Sequence, residues 1–312
     1  MPSPVYRGRF APSPTGPLHF GSLVAAVASH ADARHQNGEW LIRIEDVDET
    51  RTRTGSEQSI LSDLRAFGMS PDQEPVRQSE RAHLYQEALD RLVGLGAAYP
   101  CSCSRRAIAA IARPGCEGFV YPRTCRGSPP PPDVMAAWRF TVGDEVIRFR
   151  DRIVGETGHN LDDEVGDFVI RRIDGYFAYQ LAVVVDDQAQ GITDIVRGAD
   201  LLWSTPRQIA LQRRLGYRMP RYAHIPLVIG KDGAWVLVLM LTSKDHIPGG
   251  IGEVRSDNGT RWMNIGSGDW DSQGRPSEVR LDRIIRLDPN GIRREGAIMD
   301  RGVFALVAAE FD

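Results

Sequence analysis

Arg9-Phe10-Ala11-Pro12-Ser13-Pro14-Thr15-Gly16-Pro17-Leu18-His19-Phe20-Gly21-Ser22 is the stretch that decides the fold. Phe10 and Ala11 close an apolar-alternating run that reads as a strand. Pro12, Pro14, Gly16 and Pro17 force a turn. Gly21 then opens Leu23-Val24-Ala25-Ala26-Val27-Ala28, which reads as a helix. The N–H groups at a helix start suit phosphate oxygens, and His19 stands two residues before Gly21 as a further donor. On these residues alone, a strand-turn-helix with a chance histidine is an equally good reading.

Working outward, Glu39-Trp40-Leu41-Ile42-Arg43-Ile44-Glu45 reads as a second strand, ending in the acidic cluster Glu45 to Glu49. Strand, helix, strand in that order predicts a βαβ unit and a parallel sheet, in which ligands bind beyond the carboxyl ends of the strands. The turn at 9–22 and Glu45 both fall there. Helices are expected near 56–67 and 80–95. A Pro- and Gly-rich loop follows over 113–133, then strands of an inserted element at 137–142 and 146–150. A strand is expected at 166–172, turned by Asp174-Gly175, followed by a helix at 179–185 and a strand at 193–197. Ser204-Thr205-Pro206 supplies a capped helix start, and Gly216 a stop. No internal repeat is evident.

At 312 residues the chain is expected to form two domains, and its 42% hydrophobic content supports a sizeable core. The net charge of −3 gives no overall basic surface. Any nucleic-acid contact must be local, with Arg171-Arg172, Arg207 with Arg213-Arg214, and Arg218 with Arg221 as candidates. Each taken alone reads better as a solvated face. No run approaches a membrane span, and Arg7 and Arg9 interrupt any signal-peptide core, so a cytoplasmic protein is expected. All four cysteines fall between residues 101 and 125, which in such a compartment points to metal before disulfide. Chemistry alone selects Cys101, Cys103, Cys116 and Cys125 as tetrahedral zinc ligands, against a cluster of buried free thiols.

His19-Phe20-Gly21-Ser22 resembles the "HIGH" signature of class I aminoacyl-tRNA synthetases, and Arg9 to Gly16 resembles their glutamyl subgroup. Tyr121-Pro122-Arg123-Thr124-Cys125-Arg126 is similar to a segment of the glutamyl-Q tRNA(Asp) synthetases. So are Gly166 to Arg172, Tyr176 to Asp187 and Gly191 to Leu202. The resemblance implies a Rossmann-like α/β catalytic domain with a parallel sheet over residues 1–233, carrying a zinc-bearing insertion at about 98–150. It implies one zinc per chain on Cys101, Cys103, Tyr121 and Cys125, with Cys116 competing for Tyr121's place. It makes Arg9, Phe10, Ala11, Pro12, Ser13, Glu45, Tyr179 and Arg197 the glutamate site. His19 and Gly21 would be catalytic and, with Ser22, hold the nucleotide. The physical reading agrees: an Arg forks onto a carboxylate, a carboxylate pairs with an ammonium, and a Tyr hydroxyl adds polar selection. The implied reaction uses ATP with magnesium to activate glutamate without tRNA, then passes the glutamyl group to queuosine in the anticodon loop of tRNA(Asp). No membrane partner is implied, and a monomer is expected.

The resemblance runs from about Tyr6 to Gly233. There the family has a Lys-Leu-Ser-Lys-type loop whose lysine neutralises pyrophosphate, whereas this chain continues with the strand-like run Ala234-Trp235-Val236-Leu237-Val238-Leu239-Met240-Leu241. Residues 234–312 read as a short β-rich tail. In Trp235 to Ser243, Gly266 to Asp271 and Ser277 to Asp288 it resembles the later half of the MazF/PemK-type toxins, small SH3-like barrels that cleave RNA. The chain therefore reads as a fusion or rearranged gene product. The alternative function is a catalytically impaired chain that only binds glutamate, nucleotide or tRNA, or whose tail binds RNA. A fragment of an ordinary glutamyl-tRNA synthetase fits less well with the cysteine pattern and with Phe177-Ala178-Tyr179-Gln180.

Overall fold

In the computed structural model the described residues are 5–18, 20–115 and 118–225 and, beyond them, the backbone of seven strands between 228 and 287. His19 and Cys116 lie outside them. The first βαβ unit is β1 (Arg7–Phe10), α1 (Phe20–His35) and β2 (Glu39–Ile44), followed by α2 (Ser56–Ala66), β3 (Val76–Arg77) and α3 (Ala82–Gly94). The next stretch holds β4 (Ala98–Cys101), α4 (Arg105–Ala109), β5 (Pro114–Gly115), β6 (Gly118–Phe119) and β7 (Ala137–Phe140). Then come β8 (Val146–Asp151), β9 (Gly155–Asn160), α5 (Leu161–Glu164), β10 (Phe168–Arg171), α6 (Tyr179–Ala189), β11 (Asp194–Gly198), α7 (Thr205–Leu215) and β12 (Arg221–Ile225).

The main sheet has the order β3-β2-β1-β11-β12-β8-β9, parallel throughout except for the β8–β9 hairpin. Its order reverses at β1, which pairs with β2 on one side and β11 on the other, and ligands of open α/β sheets bind at such switch points. Alternation sorts the side chains between two cores. Phe10, Trp40, Ile42 and Ile44 pack with Ala26 and Ala33 of α1 and Ile60 and Leu64 of α2. Leu41, Ile147, Phe149, Ile195 and Tyr222 face α3, α6 and α7 through Leu89, Leu181, Val184 and Ile209. Arg9, Arg43, Asp151, Arg197 and His224 share the parity of this second face, so five ionisable side chains are built into a core wall.

Two expectations change. The strand expected in the insertion at 146–150 is instead part of the main sheet, where β8 lies beside β12. Its alternating pattern buries Ile147, Phe149 and Asp151 while Arg148 and Arg150 face out, and that inward stripe completes the second core. The small sheet is instead β10-β7-β4. α7 does start at Thr205 with Ser204 at its N-cap and Pro206 in the first turn, but the Ser204 side chain makes no capping bond, and a 3-10 turn over Ala199–Ser204 feeds the helix directly. The Ser204 hydroxyl instead accepts from Gln180 Nε2 at 3.1 Å. Gly216 does end α7, in the left-handed conformation at φ 65 that a glycine adopts without penalty.

The tail strands are β13 (Val228–Asp232), β14 (Trp235–Leu239), β15 (Leu241–Thr242), β16 (Val254–Asp257), β17 (Thr260–Gly266), β18 (Ser277–Arg280) and β19 (Ile285–Leu287). They form a β13-β14-β19 sheet and a β15-β18-β17-β16 sheet. Among the described residues no helix is long and apolar enough to cross a membrane.

Candidate active site

The chain leaves β1 through the proline turn, which is tied down by backbone bonds at the sheet's carboxyl edge. Glu45 N–H donates to the Pro12 carbonyl at 2.9 Å, and Arg53 N–H to that of Pro14, also at 2.9 Å. This sets Ala11, Pro12 and Ser13 beside Glu45, with Gly21 and Ser22 in the first turn of α1.

Beneath the turn lies a buried ion network. Arg9 reaches both oxygens of Asp187, at 3.2 and 3.4 Å. Arg43, fully buried, donates to Asp187 at 2.8 Å, to Gln190 at 2.9 Å and to Glu45 at 3.3 Å. Burial acts to raise the Asp187 carboxyl, but Arg9 and Arg43 outweigh it and hold it below the ordinary range. Asp186 accepts from Gln78, Arg81 and Tyr85. Burial lifts Glu45 above its ordinary value, with Arg43 and Arg9 opposing, so an arriving ammonium would favour its ionised form.

Arg197 is different. It is 3% exposed, and among the described residues no carboxylate pairs with it. Its Nε donates to His224 Nε2 at 3.0 Å, one terminal nitrogen donates to Thr205 Oγ1 at 2.7 Å, and the other meets the Tyr179 hydroxyl at 3.4 Å. An unpaired buried guanidinium is costly, which makes it a ready receptor for an anion. Tyr179 opens α6, and burial raises its hydroxyl above the ordinary value, with the Arg197 charge opposing and the charges of Glu45, Arg9 and Asp187 also felt there.

His224 is pushed down to about 4, first by burial and then by the Arg197 charge, with Asp151 opposing. An unfolded imidazole protonates near 6.5, so between about 6.5 and 4 the unfolded chain binds the extra proton. The stability His224 contributes is complete above that window and is lost as pH falls through it, about 3 kcal/mol in all. Glu45, raised by burial, titrates in the opposite sense. The melting temperature should therefore fall from pH 7 to 4.5 more steeply in the natural chain than in His224→Gln; parallel curves would refute this.

The second cluster lies where the small sheet ends. Cys103 and Cys125 Sγ are 3.5 Å apart, and the Tyr121 hydroxyl lies 3.2 Å from Cys101 Sγ and 3.6 Å from Cys103 Sγ. The three sulfurs lie within 4.8 Å of one another. Around a tetrahedral zinc with bonds of about 2.3 Å to sulfur, donors sit about 3.7 Å apart, so the set is compatible with zinc. Arg139 stacks its guanidinium 3.7 Å from the Tyr121 ring centroid. Burial works against ionisation of Cys101, but Tyr121 and Arg139 pull its thiol below the ordinary value.

The arginine pairs suggested for nucleic acid are largely taken up within the protein. Arg172 pairs with Asp48 and Asp174, Arg213 with Glu145 and Arg221 with Asp194. Sequence reasoning missed Arg43, Asp151, Asp186, Asp187 and His224 as parts of the site. A signal was present: adjacent carboxylates ending the apolar run Leu181 to Val185 demand buried cations.

A parallel sheet with its switch point at β1, a proline turn into α1 and a buried charge network at the carboxyl edge make the fold that of a class I synthetase catalytic domain. The family model for the catalytic domain of class I tRNA synthetases (E and Q) matches residues 6–115 and 133–237, and the chain belongs to that family of ligases. The match is interrupted over the stretch that contains Tyr121 and Cys125. Glutamyl-Q tRNA(Asp) synthetase of Thiobacillus denitrificans is 54% identical over 226 residues, 72% of this chain and 75% of that one. Its counterpart in Dechloromonas aromatica is 56% identical over 235 residues, 75% of this chain and 78% of that one. Among solved structures, a glutamate tRNA ligase from Elizabethkingia meningosepticum in complex with its amino acid matches with a TM-score of 0.65 and 29% identity, over 73% of this chain. The match spans half of that ligase's length.

Proposed function

We propose that the chain activates glutamate with ATP and transfers the glutamyl group to queuosine in the anticodon loop of tRNA(Asp). The observation that carries this is Arg197: a buried guanidinium without a carboxylate, beside Tyr179 and in the same region as Glu45. A glutamate carboxylate supplies Arg197's missing counter-ion, Glu45 takes the ammonium, and the turn that follows β1, Ala11 to Ser13, borders the substrate. Gly21 and Ser22 at the start of α1, with His19, would hold the phosphates of ATP, with which magnesium would arrive. A glutamate carboxylate oxygen then attacks the α-phosphorus, the bond to the bridging oxygen breaks, and pyrophosphate leaves. Positioning and neutralisation of phosphate charge carry this step, with no protein nucleophile. The relatives named for this activity support the reading, as does the cysteine-tyrosine cluster. A cytoplasmic monomer fits it.

The test is transfer of labelled glutamate to tRNA(Asp) with and without queuosine. Label that requires queuosine and survives removal of the 3′ adenosine is expected; label on the 3′ end would make the chain an ordinary aminoacylating enzyme and overturn the reading.

Cys101, Cys103, Tyr121 and Cys125 would hold one zinc, which fixes the insertion by cross-linking β4 to the 121–125 turn. Elemental analysis should find about one zinc per chain, and Cys125→Ser should lose most of it and lower the melting temperature. Full metal content in Cys125→Ser would move the site to other ligands, Cys116 foremost.

A second reading rests on β14. Where the family carries its lysine loop, Trp235–Leu239 pairs with β13 and β19 as a strand. Such a chain would bind its substrates and turn over slowly. The β-rich tail, with its toxin-like resemblance, belongs to the same reading.

A further inference from the structure

Arg197 and His224 are paired residues of neighbouring parallel strands, and Asp151 ends the next strand over. Asp151 is 1% exposed and His224 fully buried. Their contact is short, Asp151 Oδ2 to His224 Nδ1 at 2.6 Å, and the other Asp151 oxygen accepts from the backbone N–H groups of Ile153 and Val154, both at 2.9 Å. The donor inventory fixes the tautomer. An ionised carboxylate only accepts, so Nδ1 carries the proton; a guanidinium only donates, so Nε2 is the acceptor. The imidazole is neutral and uses both of its nitrogens, one toward each charged neighbour.

We propose that Asp151 and His224 are positioning residues that hold Arg197 as a fixed but uncompensated cation for the substrate carboxylate, a deepening that rests on the glutamate reading above. A buried arginine needs acceptors to fix its orientation. If the acceptor were a carboxylate, as Asp187 is for Arg9 and Arg43, the guanidinium would already be neutralised and a ligand would have to displace an ion pair. His224 supplies an acceptor without a charge. Together with Thr205 it occupies Nε and one terminal nitrogen, leaving the other, which among the described residues has the long 3.4 Å contact to Tyr179 alone, as the donor for a ligand. Asp151 lies behind the imidazole: it sets the tautomer and leaves the guanidinium's charge to the substrate. The same face of the sheet thus holds two kinds of arginine, structural ones with carboxylates and a receptive one with a histidine.

The prediction separates geometry from charge. His224→Gln places a neutral acceptor where Nε2 stood and should weaken glutamate binding no more than about fivefold. His224→Asn still bonds Asp151 but falls short of Arg197; a lost hydrogen bond to a charged group should weaken binding roughly 10- to 100-fold. His224→Glu keeps an acceptor but adds the charge, and should bind glutamate at least as poorly as the Asn variant. Asp151→Asn permits the other tautomer, whose Nε2–H would face the Arg197 Nε–H, and should resemble His224→Asn. The measurements are glutamate titration calorimetry on the intact chain, ATP binding as the control for fold, and nitrogen NMR of labelled histidine. The expected result is graded loss of glutamate affinity with ATP affinity unchanged, and a neutral His224 protonated at Nδ1. Glutamate affinity in His224→Glu equal to that of the natural chain, or a natural His224 protonated at Nε2, would overturn the proposal while leaving the glutamate site standing. Absence of glutamate binding by the natural chain, with its His224 tautomer as expected, would overturn the glutamate reading and the proposal with it.

Discussion

Arg197→Gln is expected to raise the dissociation constant for glutamate by two to three orders of magnitude and, at the same time, to leave the fold as stable as before or more so. Losing one partner of a buried charge pair costs about 2–5 kcal/mol, roughly 30- to several-thousand-fold in affinity. Tyr179 cannot compensate, since a single neutral hydrogen bond contributes about 1 kcal/mol. The stability half of the result follows from the missing counter-ion. Among the described residues Arg197 is a buried cation with neutral acceptors alone, so removing its charge relieves a desolvation cost and orphans no carboxylate of theirs. Asp151 keeps its imidazole and backbone donors. Arg43→Gln should do the reverse: it strips Asp187 and Glu45 of a shared partner and should destabilise the chain by about 3–5 kcal/mol. Calorimetric affinity and melting temperature on both variants decide the matter. A glutamate affinity in Arg197→Gln within threefold of the natural chain would remove Arg197 from the substrate site.

The second large effect concerns turnover. Replacing Ala234-Trp235-Val236-Leu237 by Lys-Leu-Ser-Lys is expected to raise glutamate-dependent exchange of pyrophosphate into ATP, without tRNA, by about 10²–10³. The charge that develops on the leaving pyrophosphate needs a mobile cation, and removing one preorganised electrostatic contact commonly slows a reaction by that factor. The natural segment is apolar, and from Val236 to Val238 the backbone is paired on both sides, to β13 and to β19, so this strand offers neither the charge nor the freedom. Glutamate affinity should be the same in both chains, because the residues proposed for the glutamate site all precede residue 226. Equal exchange rates would show that the natural chain finds its cation elsewhere and is a working transferase as it stands.

The main sheet was legible because its signals are local. The proline turn after Phe10, the apolar start of α1 and the alternation in 39–45 each follow from a few neighbouring residues, and together they dictate a βαβ unit with its ligand edge at 11–16 and Glu45. Gly216 was legible for the same reason. The helix start at Ser204-Thr205-Pro206 was legible too, but not the partner of the Ser204 hydroxyl, which is Gln180, 24 residues away. β8 was misplaced because nothing within 146–150 says which sheet accepts it; that depends on an inward stripe meeting β12 and α7.

The residues named for substrate, Arg9 to Ser13, Glu45, Tyr179 and Arg197, were marked by resemblance, and their types suit two carboxylates and an ammonium. By itself the sequence determined the parallel α/β class, since a strand, turn, helix and strand are written in neighbouring residues, and it marked the short stretch from which Cys101, Cys103 and Cys125 converge. Only the tertiary structure decided which arginine is held by a carboxylate and which by a histidine. Arg9, Arg43 and Arg197 look alike in their strands, and the difference arises because β1 and β2 pass under Asp187 of α6 while β11 pairs with β12 at His224. In a buried site a charge is defined by what packs against it, and those neighbours come from segments far apart in the chain.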